Sequence, residues 1–156
     1  MLELTFWVCS FLVVYVYAGY PTILYLYSRT RPAQDFDAPE NWPSITLLIS
    51  AYNEEDCIAE KLNNSLALDY PEERLQIVVI SDQSSDGTDA IVRNFEQQRV
   101  RLLRMEERGG KTLGLNAGVA EAQSDIIVFS DANAMYQKDA ISALVTPFAN
   151  THVGAV

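Results

Sequence analysis

LQIVVISDQSSDGT, Leu75 to Thr88, is an apolar, β-branched run that stops abruptly on a carboxylate and passes into a cluster of turn-forming residues. A run this short and this continuously apolar fits a strand buried on both faces. The polar cluster then hands the chain to a helix starting near Thr88 and burying Ile91 and Phe95. The same plan recurs on either side. Ile45 to Ser50, Val100 to Met105 and Asp125 to Ser130 read as similar strands, each separated from the next by a helical pattern. In the helix after the first strand, Ile58, Leu62 and Leu66 recur every four residues, with Asn53 as the expected N-cap and Asp56 completing a capping box. The helix after the third strand follows Gly109-Gly110, and its Gly114 and Gly118 lie one turn apart, which lets a helix approach a sheet closely. A further helix is expected from Asp139 to Phe148. Buried strands alternating with helices predict an α/β fold with a mostly parallel sheet covered on both faces. The last residues, HVGAV from His152, read as the start of another strand, so the chain is expected to be the N-terminal part of a longer protein.

The 156 residues, 49% hydrophobic and 21% charged, fit one ordinary domain and a small appendage. A formal net charge of -10 argues against a nucleic-acid partner, since phosphate neutralisation needs clustered Lys and Arg. An anionic ligand would need a metal ion beside it. The two cysteines, Cys9 and Cys57, form no disulfide framework or metal cluster, and both read as buried or partly buried thiols.

The appendage is the uncharged segment from Leu4 to Tyr27. Its roughly 24 residues, at about 1.5 Å each, span the ~30 Å of a hydrocarbon core. Residues 4–27 are therefore expected to form a transmembrane helix, bent near Gly19-Tyr20-Pro21. Arg29 and Arg31 follow the run and no basic side chain precedes it, which places the remainder at the cytosolic face of the cell membrane. The sequon at Asn63 would then never meet the glycosylation machinery. Residues 28–44, with Pro32, Pro39 and Pro43, read as an extended linker, and residues 45–156 as the α/β domain, incomplete at its C-terminus.

Ligands of open parallel sheets bind outside the carboxyl ends of the strands. Tyr52-Asn53-Glu54-Glu55 follows the first strand, Asp82 to Gly87 the second, and Asp131-Ala132-Asn133 the fourth, while Lys111 opens the helix after the third. Each cluster alone reads as helix capping and turn chemistry, the reading kept for Asp56 and Asp86. Their coincidence on one rim points to a binding site. Gly110-Lys111-Thr112 is not a P-loop, because Met105 stands where the pattern needs glycine, and Asp82 to Gly87 is not an EF-hand, because Arg93 stands where the bidentate Glu belongs. His152 in its apolar run reads as structural, and Cys57 has no nearby histidine to activate it.

PSITLLISAYNEE, LQIVVISDQSSDGT, GGKTLGLNAG and IIVFSDANA, in this order and spacing, resemble the N-terminal half of family 2 glycosyltransferases with the GT-A fold. A preceding membrane helix is similar to the branch that includes cellulose synthase-like and hyaluronan synthase-like enzymes. The resemblance implies a nucleotide-binding GT-A half and transfer of a sugar from a nucleotide-sugar donor, UDP-linked, to a saccharide or lipid-linked acceptor with inversion. It places Asp82 against the N–H of uracil, Tyr52 against the base, Glu54 on the ribose hydroxyls and Lys111 near the base and diphosphate. Asp131 and Asn133 stand at its D-x-D motif, which holds Mg²⁺ or Mn²⁺ against the diphosphate. Asn133 departs from the pattern, and an amide in place of a carboxylate implies weaker metal affinity. The general base is expected beyond Val156. The alternatives are a truncated, non-catalytic nucleotide-sugar-binding membrane module, and a membrane-tethered interaction domain whose rim residues only cap helices.

Overall fold

The computed structural model describes residues 1–30, 36, 38–150 and 153–154. It divides into two units, Met1–Asp35 and Phe36–Val156. Arg31, Pro32 and His152 lie outside the described residues.

The first unit is one helical rod of 28 residues, Leu2–Arg29, long and apolar enough to cross a membrane. It comprises α1 (Leu2–Val14), a π turn (Tyr15–Gly19) and α2 (Tyr20–Arg29). Where a bend is expected near Gly19-Tyr20-Pro21, the helix carries this wide turn. Pro21 has no amide proton and its ring crowds the carbonyl four residues back, and a π turn relieves that conflict without ending the helix. No residue of α1 or α2 is buried, and Cys9 is exposed rather than buried, because among the described residues of its unit this helix packs against nothing.

The second unit is built on a parallel four-stranded sheet, β1 (Ile45–Ala51), β2 (Leu75–Ser81), β3 (Val100–Arg104) and β4 (Ile126–Asp131), in the order β3-β2-β1-β4. Alternate side chains of β1 divide the core. Ile45, Leu47 and Ile49 pack with Ile58 and Leu62 of α3 (Ile58–Leu66), Val92 of α4 (Thr88–Arg93) and Ile141 and Val145 of α6 (Ala140–Val145). Leu48 faces the other way with Val78 and Ile80, against Leu115 of α5 (Gly110–Glu121). Leu47, Ile49 and Leu62 are fully buried, each stabilising the fold by about 1.5–3 kcal/mol relative to exposure. The glycine spacing in α5 works as expected. A Cβ at Gly118 would stand 2.6 Å from Ile80 Cδ1 and 3.1 Å from Leu48 Cδ1, so only glycine lets α5 lie this close to the sheet.

Four local expectations need correction. Asn53 does not cap α3; it adopts a left-handed φ of 55°, which Asn tolerates, and α3 begins only at Ile58 after an intervening turn. In α4 the fully buried aliphatic is Val92, with Ile91 and Phe95 only partly covered, because the helix ends after Arg93. The last helix is shorter than expected, since Pro147 turns its end into a 3₁₀ segment, Thr146–Ala149. Val153 and Gly154 carry no strand.

Candidate functional site

From β1 the chain passes through β2 and β3 to one side, and after β3 it crosses to β4 on the other side of β1. Such a reversal opens a crevice at the carboxyl ends of the strands. The register pairs Ala51 with Ser81 and Ser50 with Asp131, so the polar clusters after β1, β2 and β4 start level with one another.

The first two clusters are laced together. The Asp82 amide donates to Ala51 O at 3.1 Å. Asn53 Oδ1 accepts from the Ser85 amide at 2.8 Å, and the Glu54 amide donates to Thr88 Oγ1 at 2.8 Å. Asp86 takes the capping role assigned to it: its Oδ1 accepts from the Thr88 amide at 3.0 Å, and its Oδ2 from the Glu55 amide at 3.2 Å. Glu54 Oε2 lies 3.1 Å from Cys57 Sγ, within reach of the thiol proton. Burial first, then that contact and the neighbouring carboxylates, push the Cys57 thiol up to about 11, which keeps it protonated and unreactive.

Asp82 is buried, and each of its oxygens accepts a backbone amide, Gly109 N at 2.8 Å and Gly110 N at 2.9 Å. Gly110 has a φ of 78°, the left-handed conformation that turns its amide toward the carboxylate. Gln83 Nε2 donates to Met105 O at 2.7 Å and to Glu106 O at 2.6 Å, and Arg104 pairs with Asp89 while donating to Ser84 O. The end of β2 thus holds the whole approach to α5. Along that approach, the Arg108 guanidinium lies 4.0 Å from the centroid of the Tyr52 ring.

Lys111, in the first turn of α5, reaches across the crevice to place its Nζ 2.5 Å from Asp131 Oδ1. Both side chains remain more than half exposed, at 58% and 54%, so water and a ligand can reach the pair. Asn133 is exposed two residues on. A cavity of about 240 Å³ lies beside them, lined by Lys111, Leu115, Asp131, Ala134 and Tyr136. Among the described residues no three His, Cys, Asp or Glu side chains gather to hold a metal. One carboxylate and one amide oxygen are hard donors suited to Mg²⁺ or Mn²⁺, and the remaining ligands would have to come from a bound anion or water.

Beneath the turn after β4 lies Lys61 of α3, fully buried. Its Nζ donates to Ala134 O at 2.5 Å and stands 4.0 Å from the centre of the Tyr136 ring. Burial pushes the ammonium down to about 8, against the opposing pull of Asp131. Asn64 grips the same turn, its Nδ2 donating to Tyr136 O and its Oδ1 accepting from Tyr136 N, both at 2.9 Å.

The structure therefore brings Tyr52, Glu54, Asp82, Lys111 and Asp131 to one rim, with Asn133 at its edge. Sequence reasoning missed Arg108, Lys61 and Asn64. A signal existed for Lys61: with Ile58, Leu62 and Ser65 it completes the buried stripe of α3, where a lysine is out of place. Arg108 sits in an irregular segment whose path no periodicity reveals.

The family model described as "Glycosyl transferase family 2" matches residues 46–156. The chain is 37% identical over 120 residues to "Probable glycosyltransferase YdaM" of Bacillus subtilis (strain 168), covering 73% of this chain and 29% of that protein. It is 34% identical over 119 residues to "Beta-monoglucosyldiacylglycerol synthase" of Synechocystis sp. (strain ATCC 27184 / PCC 6803 / Kazusa), covering 74% of this chain and 25% of that one. It thus spans less than a third of either relative. Among solved structures, the mannosyltransferase PcManGT from Pyrobaculum calidifontis in complex with GDP-Man and Mn²⁺ superimposes with a TM-score of 0.78 at 29% identity, over 92% of this chain and 44% of that one.

Proposed function

The chain belongs to glycosyl transferase family 2, and from that premise we propose that its rim is the donor half of a membrane-bound glycosyltransferase. The donor is a nucleotide-linked sugar, UDP-linked in the first reading. The acceptor is a saccharide or a lipid-linked hydroxyl at the cytosolic face. The acceptor hydroxyl gives its proton to a general base as its oxygen attacks the anomeric carbon, the bond from that carbon to the diphosphate oxygen breaks, and the nucleoside diphosphate leaves with the electron pair, inverting the centre.

The observation that carries this reading is the Lys111 and Asp131 pair at the mouth of the crevice. An exposed ammonium and an exposed carboxylate side by side can divide a metal–diphosphate between them, the ammonium taking phosphate oxygens and the carboxylate the cation. Asp131 and Asn133 would hold Mg²⁺ or Mn²⁺, which supplies charge stabilisation for the departing diphosphate. Asp82 keeps acceptor capacity beyond its two backbone bonds, since each carboxylate oxygen can take a second donor, here the base N–H. Tyr52 offers a ring to the base and Glu54 carboxylate oxygens to the ribose. Arg108, stacked on Tyr52, would either yield that ring to the base or cover the base's other face.

The GDP-mannose in PcManGT favours a second reading in which the base is guanine, which also presents N–H donors to a carboxylate. The deciding experiment titrates UDP and GDP, each with Mn²⁺, into the full chain in detergent. The expected result is saturable binding of one nucleotide, at least tenfold preferred and weakened by Asp82→Ala. Binding of neither, with Asp82→Ala unchanged, would remove the donor-site assignment. The membrane anchor is tested by alkaline extraction, from which a spanning chain stays in the pellet.

A further inference from the structure

A buried lysine is expensive unless its charge is paired or used. Lys61 is fully buried, yet among the described residues it makes no ion pair. A Met or Leu would fill the same stem volume without desolvating an ammonium. What neither could do is bind the carbonyl of Ala134, in a stretch without regular secondary structure whose backbone groups must find partners elsewhere.

Lys61 and Asn64 stand three residues apart on one face of α3 and take hold of successive parts of one turn. Lys61 binds Ala134 O and faces the Tyr136 ring, while Asn64 binds both backbone groups of Tyr136. That turn begins where β4 ends, and Asp131 and Asn133 are exposed at its start. Ala132 between them is buried, which fastens the near end of the turn to the core. At the far end α3 binds Ala134 O and both backbone groups of Tyr136, whose ring also packs on the core and whose hydroxyl lies 3.5 Å from Phe129 O.

We propose that Lys61 and Asn64 are positioning residues that fix the turn from Ala132 to Tyr136, and with it the separation of Asp131 and Asn133, in the shape that accepts a metal-bound diphosphate. The inference rests on the reading of Asp131 and Asn133 as the metal-holding pair. It assigns to α3, which contributes nothing to the exposed rim, the role usually filled by groups that orient metal ligands.

The test uses the full chain in detergent and follows Mn²⁺ by its electron paramagnetic resonance signal, with and without UDP. UDP affinity in EDTA and thermal stability are measured on the same samples. Lys61→Met, which keeps the stem and removes the ammonium, and Asn64→Ala are each expected to lower Mn²⁺ affinity in the presence of UDP by about 10- to 100-fold. UDP affinity in EDTA should stay within about twofold. Unchanged metal affinity in both variants would overturn the proposal, as would an equal loss of metal-free UDP affinity, which would mark a general structural role. If Lys61→Met does not fold, Asn64→Ala decides alone. Asp131→Ala in the unaltered background separates the two levels: metal affinity that survives it removes the Asp131 assignment and the positioning role together, whereas metal affinity lost in Asp131→Ala but kept in the α3 variants overturns the positioning role only.

Discussion

Lys111 and Asp131, one from the first turn of α5 and the other from the last residue of β4, meet at 2.5 Å across the carboxyl edge of the sheet. Exposed pairs of this kind contribute only about 0–1 kcal/mol to stability. Lys111→Ala should therefore leave urea unfolding almost unchanged. Nucleotide binding should respond differently, because the ammonium then has a phosphate partner. UDP affinity is expected to fall about tenfold, in line with the 1.5–3 kcal/mol typical of hydrogen bonds to charged groups. Calorimetric titration beside an unfolding curve checks both halves.

Asn133 contributes an amide where a second carboxylate would carry a full charge. Asn133→Asp should tighten Mn²⁺ binding, by roughly tenfold if the side chain is a ligand, since affinity for hard cations rises with the number of charged ligands. Free Mn²⁺ measured by paramagnetic resonance reads this directly. Unaltered affinity would show that the residue lies outside the coordination shell.

Gly118 and Gly110 should fail differently. A methyl at Gly118 would meet Ile80 and Leu48 of the packed core, so Gly118→Ala should destabilise by about 1–3 kcal/mol through overpacking. At Gly110 nothing lies within 4 Å of the added carbon, but φ is 78°, so Gly110→Ala should cost only about 1–2 kcal/mol, as backbone strain. If Gly110 relaxed out of that conformation, its amide would leave Asp82, and weaker UDP binding would report it. Chemical denaturation of both variants, with a UDP titration of the second, separates packing from strain.

The Ser44 hydroxyl and amide, followed by Arg74, hold the Asp125 carboxyl below the usual carboxylate range and fasten the start of β4 to the entry of β1. A group depressed in this way contributes stability that is fully present above its unfolded value, about 3.9, and is lost as the pH falls through the folded value. Asp125→Asn should thus lower the melting temperature at pH 7, and the difference from the unaltered protein should shrink toward pH 2. Melting curves across that interval give the sign.

Much of the domain was legible because its information is local. LQIVVIS and ITLLIS declare buried strands by composition, and Gly114 and Gly118 declare close packing by spacing. The polar residues that follow the strands were legible as a set, since a parallel sheet gathers strand ends by its nature. What escaped was fixed by contacts remote in sequence. Asn53 looked like a helix cap because the partner that claims its side chain, Ser85, is 32 residues away. Asp82 looked free for a ligand, whereas Gly109 and Gly110 already draw on both of its oxygens. Lys61 stood out only as a lysine in the buried stripe of α3; its role escaped because its partner is a main-chain carbonyl, which leaves no mark on residue identity.

The close seat of α5 on the sheet makes that helix a lever. Its fulcrum is the bare backbone at Gly118 against Ile80 and Leu48, and its working end is Lys111, about two turns or ~10 Å away along the axis. A rigid rod carries a small displacement at one end to the other, so the placing of a positive charge at the mouth of the crevice is gauged by a residue with no side chain. Changes that drift into this helix far from any ligand would then register as altered nucleotide affinity, and selection on the proposed sugar transfer would reach down to a contact between a glycine and an isoleucine.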